Sequence, residues 1–113
     1  MVCALAGVVL VVCSRNPSAV GARYSKTFQS ADAPTKAAWA VAMQAVTTNG
    51  YAMAILTLKQ LSQQPSLTPE QAKAVAETVT AVSDQMYKAS NKGDPNALRA
   101  IAELREATMK LRR

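Results

Sequence analysis

Apolar residues recur at steps of three and four along residues 69–90, which is the spacing of one face of an α-helix. This face consists of Ala72, Val75, Val79, Val82, Met86 and Ala89. Thr68 can cap the start of the helix, Pro69 suits the first helical position, and Gln71 completes a capping box. The opposite side carries acids at intervals of seven residues, namely Glu70, Glu77 and Asp84. The pattern predicts a central helix with a buried apolar face and an exposed acidic side.

Two shorter helical patterns precede this segment, over residues 34–48 and 51–63. Their apolar faces consist of Trp39, Ala42, Met43 and Val46 in the first, and Tyr51, Ala54, Ile55, Leu58 and Leu61 in the second. Between them, Asn49 and Gly50 readily supply the left-handed backbone that ends a helix. We therefore expect a hairpin of two antiparallel helices. One long helix through Gly50 is the competing interpretation, because a single glycine costs only about 1 kcal/mol inside a helix.

A fourth helical pattern covers residues 95–111, with an inward face of Leu98, Ile101, Leu104, Thr108 and Leu111. The chain has 113 residues, of which 50% are hydrophobic and only 4% aromatic. This length allows one domain, and its core must be built largely from Ala, Val, Leu and Met. We therefore predict an all-α fold, a small antiparallel bundle of about four helices over residues 34–113, with the third helix at its centre.

The predicted hairpin resembles a single tetratricopeptide-type repeat. The resemblance rests on Trp39, Ala42, Met43, Tyr51, Ala54, Leu58, Pro65 and Pro69, and it covers about 30 residues. Met43 stands where that repeat prefers glycine, and no second copy follows. The chain also resembles, loosely, small alanine-rich exported helical proteins of bacteria with no assigned activity. These resemblances imply a helical packing unit with, at most, a protein-binding surface.

The N-terminal residues 1–22 have the pattern of a signal peptide or membrane anchor. Residues 1–13 are apolar or small and uncharged, a length that suits the apolar region of a secretory signal better than a bilayer span. Small residues at 20–22 would place cleavage before Arg23. Alternatively, residues 10–13 resemble a bacterial lipobox in which Cys13 carries lipid, although Val12 departs from the small residue that the motif prefers. A buried N-terminal core helix is the third interpretation.

Residues 23–33 lack a sustained apolar period and are predicted to be a linker. Tyr24 and Phe28 lie four residues apart, so they could pack against the domain, but a loosely ordered segment that touches its surface is the simpler interpretation. Both cysteines, Cys3 and Cys13, belong to the N-terminal segment. Its removal would leave a chain without thiols, which agrees with export.

The net charge of +6 raises the possibility of binding to nucleic acid or to an anionic membrane. The basic residues are spread along the chain, apart from Lys110, Arg112 and Arg113 at its end. That basic end also suits the negative end of a helix dipole. Spread charge favours solubility over a phosphate-binding surface. A peripheral binder of anionic surfaces, either membrane or nucleic acid, is therefore the alternative function, with nucleic acid the less favoured ligand.

Enzymatic chemistry is not expected. The sequence has no histidine, and therefore lacks the commonest general base and metal ligand. The acids Glu70, Glu77 and Asp84 stand two helical turns apart, about 10 Å, which is wide for a shared metal. The sequence also lacks a glycine-rich phosphate loop, a nucleophile elbow and zinc-ligand spacing. We expect no catalytic residues, no cofactor and no metal.

The hairpin has apolar residues outside the faces already assigned to the core. A surface helix of a free monomer normally carries charge there, whereas the segment 37–58 carries none. The candidate partner surface consists of Val41, Ala45, Ala52 and Met53. We therefore predict a small exported, non-enzymatic interaction module, periplasmic or associated with the cell envelope. Its partner would be a second copy of the chain or a helix of another protein, and the N-terminus could attach it to a membrane.

Overall fold

The computed structural model describes residues 17–111, and it confirms the all-α fold class. In that part of the chain the helices are α1 (Pro17–Arg23), α2 (Ala33–Thr47), α3 (Tyr51–Ser62), α4 (Pro69–Asn91) and α5 (Pro95–Leu111). A 3-10 turn (Ser25–Phe28) connects α1 to α2. The four predicted helices correspond to α2–α5, each within one residue of its expected ends. α1 and the 3-10 turn were not predicted.

Side-chain caps fix the starts of α2 and α4. The Thr35 N–H donates to Asp32 Oδ1 at 3.0 Å, so Asp32 caps the start of α2. At α4, the Gln71 N–H donates to Thr68 Oγ1 at 3.1 Å and the Thr68 N–H donates to Gln71 Oε1 at 3.0 Å. These bonds satisfy backbone donors that a helix start leaves unpaired. The predicted capping box is confirmed.

The break between α2 and α3 is made by Asn49. Its φ of 58° is left-handed, a conformation that asparagine tolerates better than most residues. The next N–H, of Gly50, turns back and donates to the carbonyl of Ala45 at 2.8 Å. Gly93 ends α4 in the same way, with a φ of 86° and a bond from the Asp94 N–H to the Ala89 carbonyl at 3.1 Å. The hairpin is therefore correct, and the single long helix is not.

α4 lies at the centre of the described fold, as predicted. It contacts α1, the 3-10 turn, α3 and α5, whereas α2 packs mainly on α3. α1 also contacts α2, and α5 also contacts α3. The long helix is thus covered by α1 on one side and by α3 and α5 on others.

The buried side chains form two clusters along the bundle. The first, which we call the aromatic core, consists of Phe28, Trp39, Ala42, Leu58, Leu61, Ala74 and Val75. The second, which we call the alanine-rich core, consists of Ala45, Val46, Tyr51, Ala52, Ala54, Ile55, Val82, Met86, Ala97 and Ala100. The 3-10 turn closes the aromatic core, and α5 covers the alanine-rich core.

The buried face of α4 is wider than predicted. Val75, Val82 and Met86 are buried as expected, but Val79 is only half-buried and Ala72 is exposed. The buried face also includes Gln71, Ala74, Thr78 and Ala81. Contacts with several other elements broaden the buried face of α4. The Thr78 hydroxyl donates to the Ala74 carbonyl at 2.7 Å, which allows its burial.

The prediction of a linker over residues 23–33 is wrong. Phe28 is only 1% exposed, and its ring stacks on Trp39 with the ring centroids 4.2 Å apart. Such a pair stabilises both the 3-10 turn and the start of the aromatic core. Residues 23–33 are therefore part of the folded domain.

The folded domain also extends upstream of residue 23. Val20 is buried, and a Cβ at Gly21 would overlap Sδ of Met43, so α1 lies close against α2. Residues 17–22 therefore pack on the domain. The prediction had assigned them to the N-terminal signal or anchor and had begun the domain at residue 34. Residues 1–16, including the proposed lipidation site Cys13, lie outside the described residues. No helix within residues 17–111 is long and apolar enough to cross a membrane.

α1 and the following residue are tied to α4 through Glu77. The Tyr24 hydroxyl donates to Glu77 Oε1 at 2.7 Å, and Arg23 Nη2 donates to the same oxygen at 3.0 Å. The bond from Tyr24, with help from the nearby Lys73 and Arg23 charges, lowers the pKa of Glu77. Contrary to the prediction of an exposed acidic side, Glu77 is half-buried, and so is Asp84, which pairs with Lys88 at 3.3 Å. Only Glu70 is exposed as predicted.

Candidate functional site

The predicted partner surface on the hairpin is divided by the fold. Val41 and Met53 are exposed, at 50% and 58%, whereas Ala45 and Ala52 are only 7% and 8% exposed. Ala45 and Ala52 belong to the alanine-rich core, which includes Ala97 and Ala100 of α5. The prediction is therefore wrong for Ala45 and Ala52, because both flank the turn of the hairpin and are packed inside the alanine-rich core. Val41 and Met53 remain available to solvent.

A groove of about 330 Å³ lies between α3, α4 and α5, and we call it the α3–α4–α5 groove. It is lined by Ile55, Leu56, Lys59, Val79, Ser83, Met86, Tyr87, Ile101, Leu104, Arg105, Ala107 and Thr108. Ile55 and Met86 form its buried floor. The groove is therefore an opening beside the alanine-rich core.

The sequence of α5 explains why the groove exists. Ala97 and Ala100 in its first half are buried, and side chains this small let α5 approach α3 and α4 closely. In its second half, Ile101, Leu104 and Ala107 are only half-buried, although all of them face the groove. These side chains of α5, together with the facing side chains of α3 and α4, thus leave apolar surface that the rest of the described fold does not cover.

Further apolar side chains stand at the edge of the groove. Tyr87 lines it and is 54% exposed. Leu98 and Met109, both exposed, are separated from Arg105 by seven and four residues, which places them along one edge of α5. Single exposed apolar residues are ordinary, but a continuous apolar patch commonly marks an interaction site. Tyr87 adds apolar surface to the groove, whereas Leu98 and Met109 are not among its lining residues.

The groove carries positive charge without a compensating acid. Lys59 and Arg105 line it, and none of its described lining residues is acidic. The salt bridges within residues 17–111 join Arg23 to Glu77 and Lys88 to Asp84, so both groove cations are left without an ionic partner there. The arrangement suits an apolar ligand with acidic groups.

Two smaller openings adjoin the same core. One, of about 210 Å³, lies between α1, the end of α2, the start of α3 and α4, and it includes Pro17, Tyr51 and Gln85. The other, of about 150 Å³, lies between the starts of α3 and α5 and includes Met53, Arg99 and Glu103. Met53 of the predicted surface therefore lies beside α5, in an opening whose lining does not include Val41. Both of these openings expose less apolar surface than the α3–α4–α5 groove.

The described residues contain no group of three Asp, Glu, Cys or His side chains that could hold a metal ion. Comparison of the chain with protein-family models, curated proteins and solved structures finds no match. The resemblance to a tetratricopeptide hairpin therefore stays a prediction, as does the absence of enzymatic activity.

Sequence reasoning missed the α3–α4–α5 groove, although its signal was present in α5. Leu98 was assigned to the inward face of this helix but is exposed. Around the axis of α5, the apolar face extends from the side of Ala97 and Ile101 to the side of Met109. This face is broader than packing against one neighbouring helix requires. This excess width indicated an uncovered strip.

Proposed function

We propose that this protein is a small, non-enzymatic interaction module that binds an amphipathic helix in the α3–α4–α5 groove. The observation that carries the proposal is the half-buried apolar wall that three helices contribute, with Leu56 on α3, Val79 on α4 and Leu104 on α5. Covering apolar surface stabilises a complex by about 25 cal/mol for each Å² removed from water. A helix laid into a hydrophobic groove is a common way to achieve this.

The length of the groove supports a helical ligand. Along α4 the lining runs from Val79 to Tyr87, and along α5 from Ile101 to Thr108. At 1.5 Å per residue these stretches are about 10–12 Å long, or two turns of a helix. A ligand helix could therefore place apolar residues from two successive turns against the groove.

The proposal includes export, periplasmic or at the cell envelope, which is supported by the apolar residues 1–13. The partner is a helix of another exported protein or of a second copy of this chain. In either case the groove, and not the outer face of the hairpin, provides the main contact.

The proposal can be tested with two matched variants of the whole chain. Tyr87→Glu adds a charge at the groove, and Val41→Glu adds the same charge at a residue of similar exposure that does not line it. Sedimentation velocity over a range of concentrations measures self-association of each variant. Photo-crosslinking in the native host, from benzoylphenylalanine at position 87 or 41, detects another partner.

We expect that Tyr87→Glu abolishes self-association, or that position 87 gives a discrete adduct with another protein and position 41 gives none. Both variants should keep the wild-type circular dichroism spectrum, because both side chains are exposed. Loss of association with Val41→Glu alone would place the interface on the hairpin face and overturn the groove. A monomer at every concentration, without an adduct from either position, would remove the proposed function.

A further inference from the structure

We infer that the helix bound in the α3–α4–α5 groove carries carboxylates at one end of its apolar face. This inference rests on the proposed function and specifies the chemistry of the partner. It starts from Lys59 and Arg105, which line the groove and have no ionic partner within residues 17–111. Complementary charge at the edge of an apolar site selects partners and fixes their orientation.

The two cations lie toward the same end of the groove. Lys59 follows Leu58, which packs with Val75 in the aromatic core, so Lys59 is near the Val79 end of the lining. α4 and α5 are joined by a short turn at residues 92–94 and pack against each other. Val79 is eight residues farther from that turn than Tyr87, and Arg105 is four residues farther from it than Ile101.

The groove therefore has a direction. The part nearer the turn presents the ring of Tyr87 and the side chain of Ile101, and the part farther from it presents the cations Lys59 and Arg105. A ligand with apolar residues over two turns and carboxylates at one end would satisfy both ends. A helix with the same apolar face and lysines in place of the carboxylates would bring like charges together and would bind more weakly.

The inference can be tested with two synthetic amphipathic peptides, each about 15 residues long so that a helix of several turns can form. Both have leucine at positions i, i+3, i+4 and i+7, and they differ only in having glutamate or lysine beside one end of this face. Binding to the whole chain is measured by fluorescence anisotropy at low salt. We expect the glutamate peptide to bind about tenfold more tightly, which corresponds to about 1.4 kcal/mol shared between two exposed ion pairs.

Charge-reversal variants locate the effect. Lys59→Glu combined with Arg105→Glu should reverse the preference between the peptides. Lys26→Glu combined with Lys36→Glu changes the net charge equally at exposed residues outside the groove lining, and should leave the preference nearly unchanged. Added salt should reduce the preference of the wild type, because exposed charges are screened.

The outcomes separate the inference from the proposed function. Equal binding of both peptides, with Tyr87→Glu weakening both, would overturn the acidic partner but keep a helix-binding groove. No binding of either peptide would overturn both. Binding to phosphatidylglycerol vesicles that depends on Lys59 and Arg105, without peptide binding, would assign the groove to an anionic lipid surface and would also overturn the inference.

Discussion

The aromatic core and the alanine-rich core differ in how completely the chain covers them. In the aromatic core, Phe28 lies flat against Trp39, and Leu58 and Leu61 are almost fully buried. In the alanine-rich core, α5 contributes Ala97 and Ala100, which bury little area each. The α3–α4–α5 groove and both smaller openings are lined in part by alanine-rich core residues.

This difference is a consequence of side-chain size. Large rings fill the space between helices and stabilise the aromatic core without help from a partner. Alanines allow close helix contact over a short stretch, but the larger side chains that follow cannot all be covered by the same neighbour. The aromatic core is therefore expected to carry most of the stability, and the side of the bundle with α5 is expected to carry the interaction surface.

The largest expected effect comes from placing a carboxylate in each region. Val75→Asp puts the charge in the aromatic core, where Val75 is fully buried, and we expect the variant to be unfolded. A buried unpaired carboxylate costs several kcal/mol, a large share of the marginal stability of a small domain. Circular dichroism and thermal melting measure the outcome.

Leu104→Asp is the matched change at the groove. Leu104 is half-buried, so its carboxylate can reach water and the variant should stay folded with a lowered melting temperature. Val79→Asp, on the half-buried edge of α4, should fall between the two. Equal destabilisation by Val75→Asp and Leu104→Asp would show that the aromatic core is not covered more completely than the α3–α4–α5 groove.

A smaller loss is expected from Phe28→Ala. Removing a buried aromatic ring costs about 3–5 kcal/mol, and here it also removes the partner of Trp39. Urea unfolding should show the lowered free energy of unfolding, and the near-ultraviolet circular dichroism of Trp39 should weaken. Met53→Ala, at an exposed residue, serves as the control and should change the stability little. An unchanged stability of Phe28→Ala would restore the interpretation of residues 23–33 as a linker.

Much of the bundle could be predicted because its signals are local. The Thr68 and Gln71 side chains act within one turn of α4, and Asn49 ends α2 through its own backbone. The apolar periods gave the type and the ends of four helices. Such features depend on neighbours in the sequence, so a single chain is sufficient to read them.

The errors concern contacts between residues distant in the sequence. Phe28 lies in a segment without a helical period, and only its stacking on Trp39 shows that it is a core residue. Ala45 and Ala52 looked like exposed alanines, because their burial depends on residues distant in the sequence that complete the alanine-rich core. The candidate groove was missed for the same reason, since it is formed by α3, α4 and α5 together.

The smallest effect concerns Glu77, which links Arg23 and Tyr24 to α4 beside the aromatic core. The Tyr24 hydroxyl holds the pKa of Glu77 below its usual value of 4.5. A carboxylate with a lowered pKa contributes stability that is present above that usual value and is lost as the pH falls through the folded-state pKa. Glu77→Gln should therefore be less stable than the wild type at neutral pH, and the difference should shrink between about pH 5 and pH 3. Urea unfolding at both ends of this range measures the difference in stability.

Tyr24→Phe keeps the ring but loses the hydroxyl donor, so it should raise the pKa of Glu77 in a carbon-detected NMR titration. If the wild type and Glu77→Gln lost the same stability over this range, the contact of Glu77 with Tyr24 and Arg23 would not help to hold α1 on the domain.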